Sequence, residues 1–303
     1  MDLLVLGGTS FVGRAIVERA LERGHRPTLF SRGRTGSDLF PQVERRPGDR
    51  ETGDYATLAS GRWDAVVDVS AYVPRHVQQA ADAVGAAGRY LLISTGSVYD
   101  VEAAQPEAMA EDSPRLPAER GTEQVTPETY GRLKVACEDD ATARWGERAT
   151  IVRPGIVAGP YDPTDRFTSW VRRAARGGRV EVPGRLDQPV QVVDSRDHAA
   201  LVVALLEDDR LGTYNAVGPA EPVTLGGLVR ICAEAAGSTV ELAEVAVDPT
   251  APLVLAEPRF DPLFRRSAAA ARAVGLPATP LSRTAADVLA WDRERGEPEL
   301  SVG

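Results

Sequence analysis

The segment ETYGRLKVACE (residues 128–138) places Tyr130 four positions before Lys134. Residues four apart lie on the same face of an α-helix. A cation beside a tyrosine favours the ionised form and lowers its pKa below the ordinary value of about 10. The pair therefore predicts a tyrosine that exchanges a proton with a substrate oxygen as a general acid or base.

Lys134 is the only lysine in the chain, and the other 34 of the 35 Lys and Arg residues are arginine. A compact, rotatable ammonium can bond ribose hydroxyls, which a planar guanidinium does poorly. The single use of lysine at this position therefore predicts a contact with a ribose in addition to an effect on Tyr130.

Hydroxyl side chains follow a short apolar run in LLISTGSVYD (residues 91–100). One of Ser94, Thr95 and Ser97 could bond the substrate oxygen and orient it toward Tyr130. The loop YDPTDRFTSWVRR (161–173) and the Pro-broken stretch 251–264 are expected to build the rest of a substrate pocket. Its predicted contacts, besides Ser97, are Tyr99 beside the carbonyl, Arg166, and the apolar walls Phe167 and Trp170.

A glycine-rich turn occurs in LVLGGTSFVGRAIVERA, between a predicted strand and a predicted helix. Gly7 can make the tight turn, and Gly13 lets the helix pack close to the sheet. The backbone N–H groups at the start of the helix then face a pyrophosphate. The predicted dinucleotide contacts in this turn are Gly7, Thr9, Ser10, Phe11, Val12 and Gly13.

The end of the second predicted strand reads LFSRGRTG. An acidic residue at this point would bond the ribose hydroxyls of NAD. Ser31, Arg32 and Arg34 stand there instead, and an arginine fork suits a 2′-phosphate. The sequence therefore predicts NADP(H) in preference to NAD(H).

Short apolar runs alternate with helical patterns over the first two-thirds of the chain, as in LLVLG (3–7), DAVVDVS (64–70) and YLLIST (90–95). Apolar runs without alternation, separated by helices, indicate a parallel sheet covered on both faces. The predicted fold is α/β, a doubly wound parallel sheet (Rossmann) with a smaller C-terminal substrate-binding lobe. Residues 1–160 form the dinucleotide-binding domain, to which 188–218 returns, and 161–303 form mainly the lobe.

The composition, 43% hydrophobic and 26% charged among 303 residues, is that of an ordinary globular protein. A net charge of −9 disfavours a protein that mainly holds nucleic acid. No signal peptide or apolar run long enough for a membrane helix is apparent, so a cytoplasmic location is expected. Two distant cysteines and three scattered histidines predict neither a disulfide nor a metal site.

Together these motifs resemble the short-chain dehydrogenase/reductase superfamily, in its extended or atypical branch of NAD-dependent epimerase/dehydratase-like proteins. Within that branch the chain resembles the bacterial relatives of the chloroplast stem-loop-binding proteins. The matching segments, in family order and spacing, are GGTSFVG, ISTGSVY, YGRLK, RPGIVAGP and VVDSRDHA. The last eighty residues match only loosely.

The resemblance implies a catalytic set of Thr95, Tyr130 and Lys134, in which the tyrosine is the acid–base group. It also implies an adenine contact near Asp49, a loop along the cofactor riboses, and a residue beside the nicotinamide. The cofactor-binding positions that follow from it are Asp49, Arg50, Ser70, Ala71, Tyr72 and Pro154.

Two departures from the family pattern bear on function. Ser10 replaces the middle glycine of the G-x-x-G-x-x-G motif and brings a side chain near the phosphates. Gly96-Ser97 stands where dehydratases of this branch carry an Asp-Glu pair. Since dehydration needs an acid for the departing hydroxyl, a dehydratase is disfavoured.

The predicted activity is the NADP(H)-dependent reduction of a carbonyl, or oxidation of an alcohol, of a small-molecule substrate. A nucleotide-sugar epimerase is an alternative that needs cations for the sugar-nucleotide pyrophosphate. An RNA-binding relative and a cofactor sensor without turnover remain two further classes, and a homodimer is left open. The candidate cations for the epimerase are Arg166, Arg172, Arg173 and Arg179.

Overall fold

The computed structural model describes residues 1–85, 87–103 and 109–302. The strands, in chain order, are β1 (Asp2–Leu6), β2 (Arg26–Ser31), β3 (Glu44–Pro47), β4 (Ala65–Asp68), β5 (Arg89–Ile93), β6 (Ala149–Pro154), β7 (Ile156–Ala158), β8 (Gly178–Val182), β9 (Pro189–Val190), β10 (Val192–Asp194), β11 (Gly212–Ala216), β12 (Val223–Thr224) and β13 (Val240–Glu244). The α-helices are α1 (Phe11–Glu22), α2 (Pro74–Val84), α3 (Pro127–Trp145), α4 (Arg166–Ala175), α5 (Ser195–Glu207), α6 (Leu225–Ala236), α7 (Ala269–Ala273) and α8 (Leu281–Glu294).

Seven strands form one parallel sheet in the order β11-β6-β5-β4-β1-β2-β3. Helices α1 and α5 pack against each other over one face, and α2 and α3 over the other. Alternate residues of β1 face the two sides, Leu3 and Val5 toward α1 and Leu4 and Leu6 toward α2. The prediction of an α/β fold with a doubly wound parallel sheet is confirmed.

The direction of the strand order reverses between β1 and β4. In open parallel sheets, ligands bind at the carboxyl ends of the strands beside such a reversal. The turn after β1, the loop after β4 and the ends of β5 and β6 therefore meet at one edge of the sheet.

Strand β3 was not predicted, because its sequence ERRP has no apolar run. It lies at the edge of the sheet and pairs only with β2. Charged side chains at an edge discourage pairing with another chain, so an edge strand lacks the apolar signature of a central one.

A second core lies in the C-terminal part, where α4, α6 and α8 pack together. The chain returns from this region to the central sheet through α5 and β11, which pairs with β6. Three two-stranded pairs, β7 with β10, β9 with β12 and β8 with β13, complete this part. The proposed limits of the two domains stay a prediction.

Two histidines are buried without a hydrogen bond from either ring to any residue that the structure describes. Burial lowers the pKa of both His76 and His198 to about 4, so both rings are neutral near pH 7. Cys137 and Cys232 are buried free thiols, and burial raises the pKa of each to about 12. Among the described residues, no cluster of three metal-ligating side chains occurs, and no helix is long and apolar enough to cross a membrane.

Candidate active site

A cavity of about 1070 Å³ opens at the carboxyl ends of strands β1, β2, β4, β5 and β6. It is large enough for a dinucleotide together with a small substrate. The sequence-predicted residues that line it are Gly7, Thr9, Ser10, Phe11, Val12, Ser31, Arg32, Arg34, Asp49, Arg50, Ser70, Tyr72, Thr95, Ser97, Tyr99, Tyr130, Lys134, Pro154 and Arg166.

Two positions of the glycine-rich turn, Gly7 and Gly13, have no space for a side chain. Gly7 has a φ of +94°, a conformation that favours glycine, and a Cβ there would lie 2.9 Å from Oγ of Ser70. A Cβ on Gly13 would lie 1.9 Å from the carbonyl oxygen of Gly7, so α1 packs directly on the turn. These are the two steric roles that the sequence assigned to the glycines, and they leave a cradle at the start of α1 that a side chain would fill.

Ser10 tolerates its side chain because its backbone is extended, with φ −136° and ψ 140°. The side chain does not cap α1 and lies exposed in the wall of the cavity. The next residue, Phe11, has a left-handed backbone conformation with a φ of +32°. Strain of this kind in a non-glycine residue is concentrated at functional sites.

Arg32 and Arg34 lie on the exposed rim of the cavity beyond the end of β2. Neither forms an ion pair with any carboxylate among residues 1–85, 87–103 and 109–302. Because Ser31 and not an acid ends β2, this rim offers a ligand two cations that pair with no described carboxylate.

Arg50 is held inside the protein by a bidentate ion pair with Asp68 at 2.6 and 2.7 Å. It also donates to Oγ of Ser70 at 2.8 Å, and Tyr90 donates to Asp68 at 2.6 Å. Burial alone would raise the pKa of Asp68, but the charge and hydrogen bonds of Arg50 outweigh it and lower that pKa. The guanidinium is thus bonded to Asp68 and Ser70, and because Arg50 still lines the cavity, its contact with a cofactor stays a prediction. Asp49 stays on the cavity wall.

Helix α3 carries Tyr130 and Lys134 to the cavity. It begins at a capping box, in which the Thr126 side chain accepts from the N–H of Thr129 and Thr129 bonds back to Thr126. Pro127 at the first helical position is preorganised for a helix start. This well-defined start sets the rotation of the helix that presents Tyr130 to the cavity.

Tyr130 and Thr95, at the end of β5, line the same cavity, and Thr95 Oγ1 is hydrogen-bonded to Ser97. Burial raises the pKa of Tyr130, while the side chain of Thr95 and the positive charge of Arg166 lower it in part. The net result is a pKa above the ordinary value, so Tyr130 is a neutral phenol at pH 7. Of the three hydroxyls proposed from sequence, Thr95 is the one beside Tyr130, while Ser94 donates to Glu138 at 2.6 Å.

Lys134 is only 3% exposed, and its ammonium donates to the carbonyl oxygens of Ala71 at 2.6 Å and Ile93 at 2.8 Å. The prediction that Lys134 lowers the pKa of Tyr130 is wrong for this arrangement, since the cation acting on Tyr130 is Arg166. An ammonium has three donors, so one N–H of Lys134 remains for a group in the cavity. Ala71 acts through its carbonyl, which fixes Lys134, and its side chain is fully buried.

Three predicted substrate contacts are corrected. Phe167 and Trp170 belong to the core of the C-terminal part and lie outside the described lining of the cavity, because α4 turns its apolar face toward α6 and α8. The indole of Trp170 donates to the carbonyl of Pro252 at 2.8 Å. Tyr99 touches the cavity, but its hydroxyl is bonded to Asn215 and Arg153 and is not free for a carbonyl.

The four arginines proposed for an epimerase do not come together. Arg166 lines the cavity near Tyr130. Arg172 is paired with Asp292 at 2.7 Å, Arg173 lies over the ring of Trp170, and Arg179 is exposed on β8.

Tyr72 also lines the cavity. Its side chain is 48% exposed, and its ring centroid lies 6.5 Å from that of Tyr130.

Two polar residues of the cavity were not predicted. Asp162 is buried, burial raises its pKa, and its Oδ2 has no hydrogen bond to a described residue. Arg266, from the segment between α6 and α7, lines the cavity beside Gly96 and Gly155. An arginine in a chain with so many arginines carries no sequence signal of its own, and only its buried position sets it apart.

A profile of the NAD dependent epimerase/dehydratase family matches residues 3–217 of the chain. The matched part contains the glycine-rich turn, Thr95, Tyr130 and Lys134. The chain belongs to the NAD dependent epimerase/dehydratase family, as the sequence motifs predicted.

Three relatives illustrate this kinship. The chloroplast stem-loop binding protein of 41 kDa b from Arabidopsis thaliana is 25% identical over an alignment of 254 residues that covers 78% of this chain and 63% of that protein's length. A candidate epimerase from Burkholderia cenocepacia J2315 is 24% identical, with a TM-score of 0.75 over 96% of this chain and 98% of its own. A UDP-glucuronic acid 4-epimerase from Bacillus cereus, solved with NAD, is 18% identical, with a TM-score of 0.74 over 97% of this chain and 99% of its own.

Proposed function

We propose that the protein is an NADP(H)-dependent oxidoreductase that reduces a carbonyl, or oxidises the corresponding alcohol, of a small-molecule substrate. The observation that carries this proposal is that Tyr130 and Thr95 line one cavity together with the glycine-rich turn. A neutral, buried phenol beside a second hydroxyl is suited to give a proton to a carbonyl oxygen.

The residues fit a nicotinamide dinucleotide. Gly7 and Gly13 make a cradle that a Cβ would fill, and the cavity runs from this cradle to Tyr130. Pro154, at the end of β6, lies on the wall near Tyr130, where the nicotinamide would be held. When bound, the cofactor supplies or accepts a hydride at the substrate carbon. Several solved relatives contain NAD, which supports the dinucleotide class but not the choice of NADP(H).

Each side chain then has a separate task in reduction. Thr95 donates a hydrogen bond to the substrate carbonyl oxygen and orients it toward Tyr130. Tyr130 gives its proton to that oxygen as the carbon is reduced, and the alcohol forms. Arg166 stabilises the tyrosinate that remains, since its charge already lowers the pKa of Tyr130. Lys134 offers its third N–H to a ribose hydroxyl of the cofactor.

Deuterium transfer distinguishes this activity from an epimerase. With NADPH deuterated at the transferred position, a panel of ketones, aldehydes and sugar nucleotides is incubated with the enzyme. We expect one deuterium at the new carbinol carbon and one NADP⁺ for each product molecule. Interconversion of two sugar nucleotides without net oxidation of the cofactor would favour the epimerase, which the solved relatives of similar fold make the second candidate.

Cofactor selection is tested at the rim of the cavity. Arg32→Ala is expected to weaken the binding of NADPH by about 10- to 150-fold, or about 1.5–3 kcal/mol, because it removes a charge-assisted contact to the 2′-phosphate. The affinity for NADH should stay within about twofold. Isothermal titration of both cofactors measures this, with Arg23→Ala, an exposed arginine paired with Glu207, as the matched control. Equal affinity of the wild type for NADPH and NADH would contradict the proposed preference.

A further inference from the structure

Arg266 is a buried cation that borders the cavity. Its residue is 8% exposed, and its side chain lines the same cavity as Thr95 and Tyr130. The backbone is held on both sides by Gln191, which accepts from the N–H of Arg266 at 3.1 Å and donates to its carbonyl at 2.8 Å. These two hydrogen bonds fix the backbone of Arg266 and therefore the position of its Cα.

The position of the guanidinium is defined by two glycines. A Cβ on Gly96 would lie 1.0 Å from Nη1 of Arg266, and a Cβ on Gly155 would lie 3.1 Å from Nη2. The head group therefore fills the space over the ends of β5 and β6. Since Gly96 directly follows Thr95, and consecutive Cα atoms are about 3.8 Å apart, the charge lies close to Thr95.

The glycine at position 96 also explains a departure from the family pattern. Dehydratases of the branch that the sequence resembles carry an Asp-Glu pair where this chain has Gly96-Ser97. A side chain at residue 96 would occupy the place of the Arg266 guanidinium. Position 96 therefore has no space for a side chain while Arg266 occupies this place.

Arg266 differs from the other buried arginines in having no counterion among the residues that the structure describes. Arg50, Arg153 and Arg172 each form a bidentate pair with a buried carboxylate. The guanidinium of Arg266 makes no ion pair and no hydrogen bond with any residue in the described ranges, and its Nε is buried without an acceptor. Burial lowers the pKa of Arg266 to about 10, which leaves it charged at pH 7.

A buried charge without a partner is costly, and a ligand anion would remove that cost. We propose that Arg266 binds a carboxylate that the substrate carries within a few bonds of its reacting carbon. This inference rests on the proposed function, because it places the reacting carbon at Thr95 and Tyr130. A guanidinium fork pairs with a carboxylate through two parallel hydrogen bonds, so Arg266 selects acidic substrates and orients them.

The test compares ligands that differ only in the carboxylate. UDP-glucuronic acid and UDP-glucose form one pair, and D-glucuronate and D-glucose form a second pair without phosphate. Each is titrated calorimetrically into wild type, R266M and R265M in the presence of saturating NADPH. Arg265 is the matched control, since its side chain is exposed and pairs only with Asp261 at 3.6 Å.

We expect the wild type and R265M to prefer the acid of at least one pair by about tenfold or more, and R266M to lose that preference. A wild type without a carboxylate preference in either pair would overturn the inference. If R266M lost affinity for UDP-glucuronic acid and UDP-glucose equally, Arg266 would bind a phosphate of the ligand. This result would also overturn the carboxylate assignment.

Urea unfolding without ligand gives a second readout. If Arg266 awaits a ligand anion, R266M should unfold at a higher urea concentration than the wild type, while R265M should be unchanged. A lower midpoint for R266M would mean that Arg266 supports the fold, against the inference. Failure of the wild type to bind NADPH would instead count against the proposed function, and the stability and glucuronate results would still decide the role of Arg266.

Discussion

Replacement of Tyr130 by phenylalanine is expected to lower the rate of carbonyl reduction by about 10²- to 10⁴-fold. The change removes the phenol proton that is proposed to pass to the substrate oxygen, from a residue that lines the cavity together with Thr95. The ring and its packing are retained, so the free energy of unfolding and the affinity for NADPH should change little. The rate is measured in single turnovers with saturating NADPH, so that binding and product release do not obscure it.

The pH dependence of this reaction follows from the burial of Tyr130. A general acid works in its protonated form, so the reduction rate falls as pH rises through its pKa. Because burial raises that pKa, the rate should be level from about pH 6 to about 9 and fall only near or above the ordinary tyrosine value of about 10. This corrects the expectation from sequence of a pKa well below that value.

Tyr161→Phe is the control for these measurements, because Tyr161 is exposed and lies outside the described lining of the cavity. It should leave the rate and its pH profile unchanged. A Tyr130→Phe enzyme that keeps a third or more of the wild-type rate, as an approximate limit, would show that another group delivers the proton.

The second large effect concerns the buried pair of Arg50 and Asp68. Arg50→Met should lower the free energy of unfolding by about 3–5 kcal/mol at pH 7, because it leaves a fully buried carboxylate without its cation. Tyr90 and the N–H of Ser70 still donate to Asp68, but neither brings a charge. Urea unfolding monitored by tryptophan fluorescence measures the loss.

The loss in free energy of unfolding caused by Arg50→Met should become smaller as pH falls. In the wild type the pKa of Asp68 is lowered, so its contribution to stability is present above the unfolded value of about 3.9 and is lost as pH falls through the folded value. In the variant, burial is the largest influence on the pKa of Asp68 and is no longer opposed by Arg50, so that pKa rises and protonation relieves the buried charge at higher pH. Arg144→Met, which breaks an exposed pair with Asp82, should cost less than about 1 kcal/mol. A similar small cost for Arg50→Met would contradict the importance assigned to the buried pair.

The sequence by itself determined the sheet, the glycine-rich turn and the helix that carries Tyr130 and Lys134. These features depend on local patterns: apolar runs for strands buried on both faces, glycines where a Cβ would collide, and a four-residue spacing on one helix face. Such patterns are visible along the chain because each concerns neighbouring residues. The edge strand β3 was not predicted, because its place in the sheet depends on the neighbouring strand β2 and not on a pattern in its own residues.

Only the tertiary structure decided which charges meet. Arg50 was expected at the cofactor, and it is bonded to Asp68. Lys134 was expected to act on Tyr130, and it donates to two carbonyls while Arg166 supplies the charge. The partner of a long charged side chain depends on how distant segments of the chain pack. No repeating pattern in the sequence indicates such a pairing. Arg266 is the clearest case, because nothing in its neighbourhood along the chain distinguishes it, and only packing over Gly96 makes it a buried cation beside the reacting group.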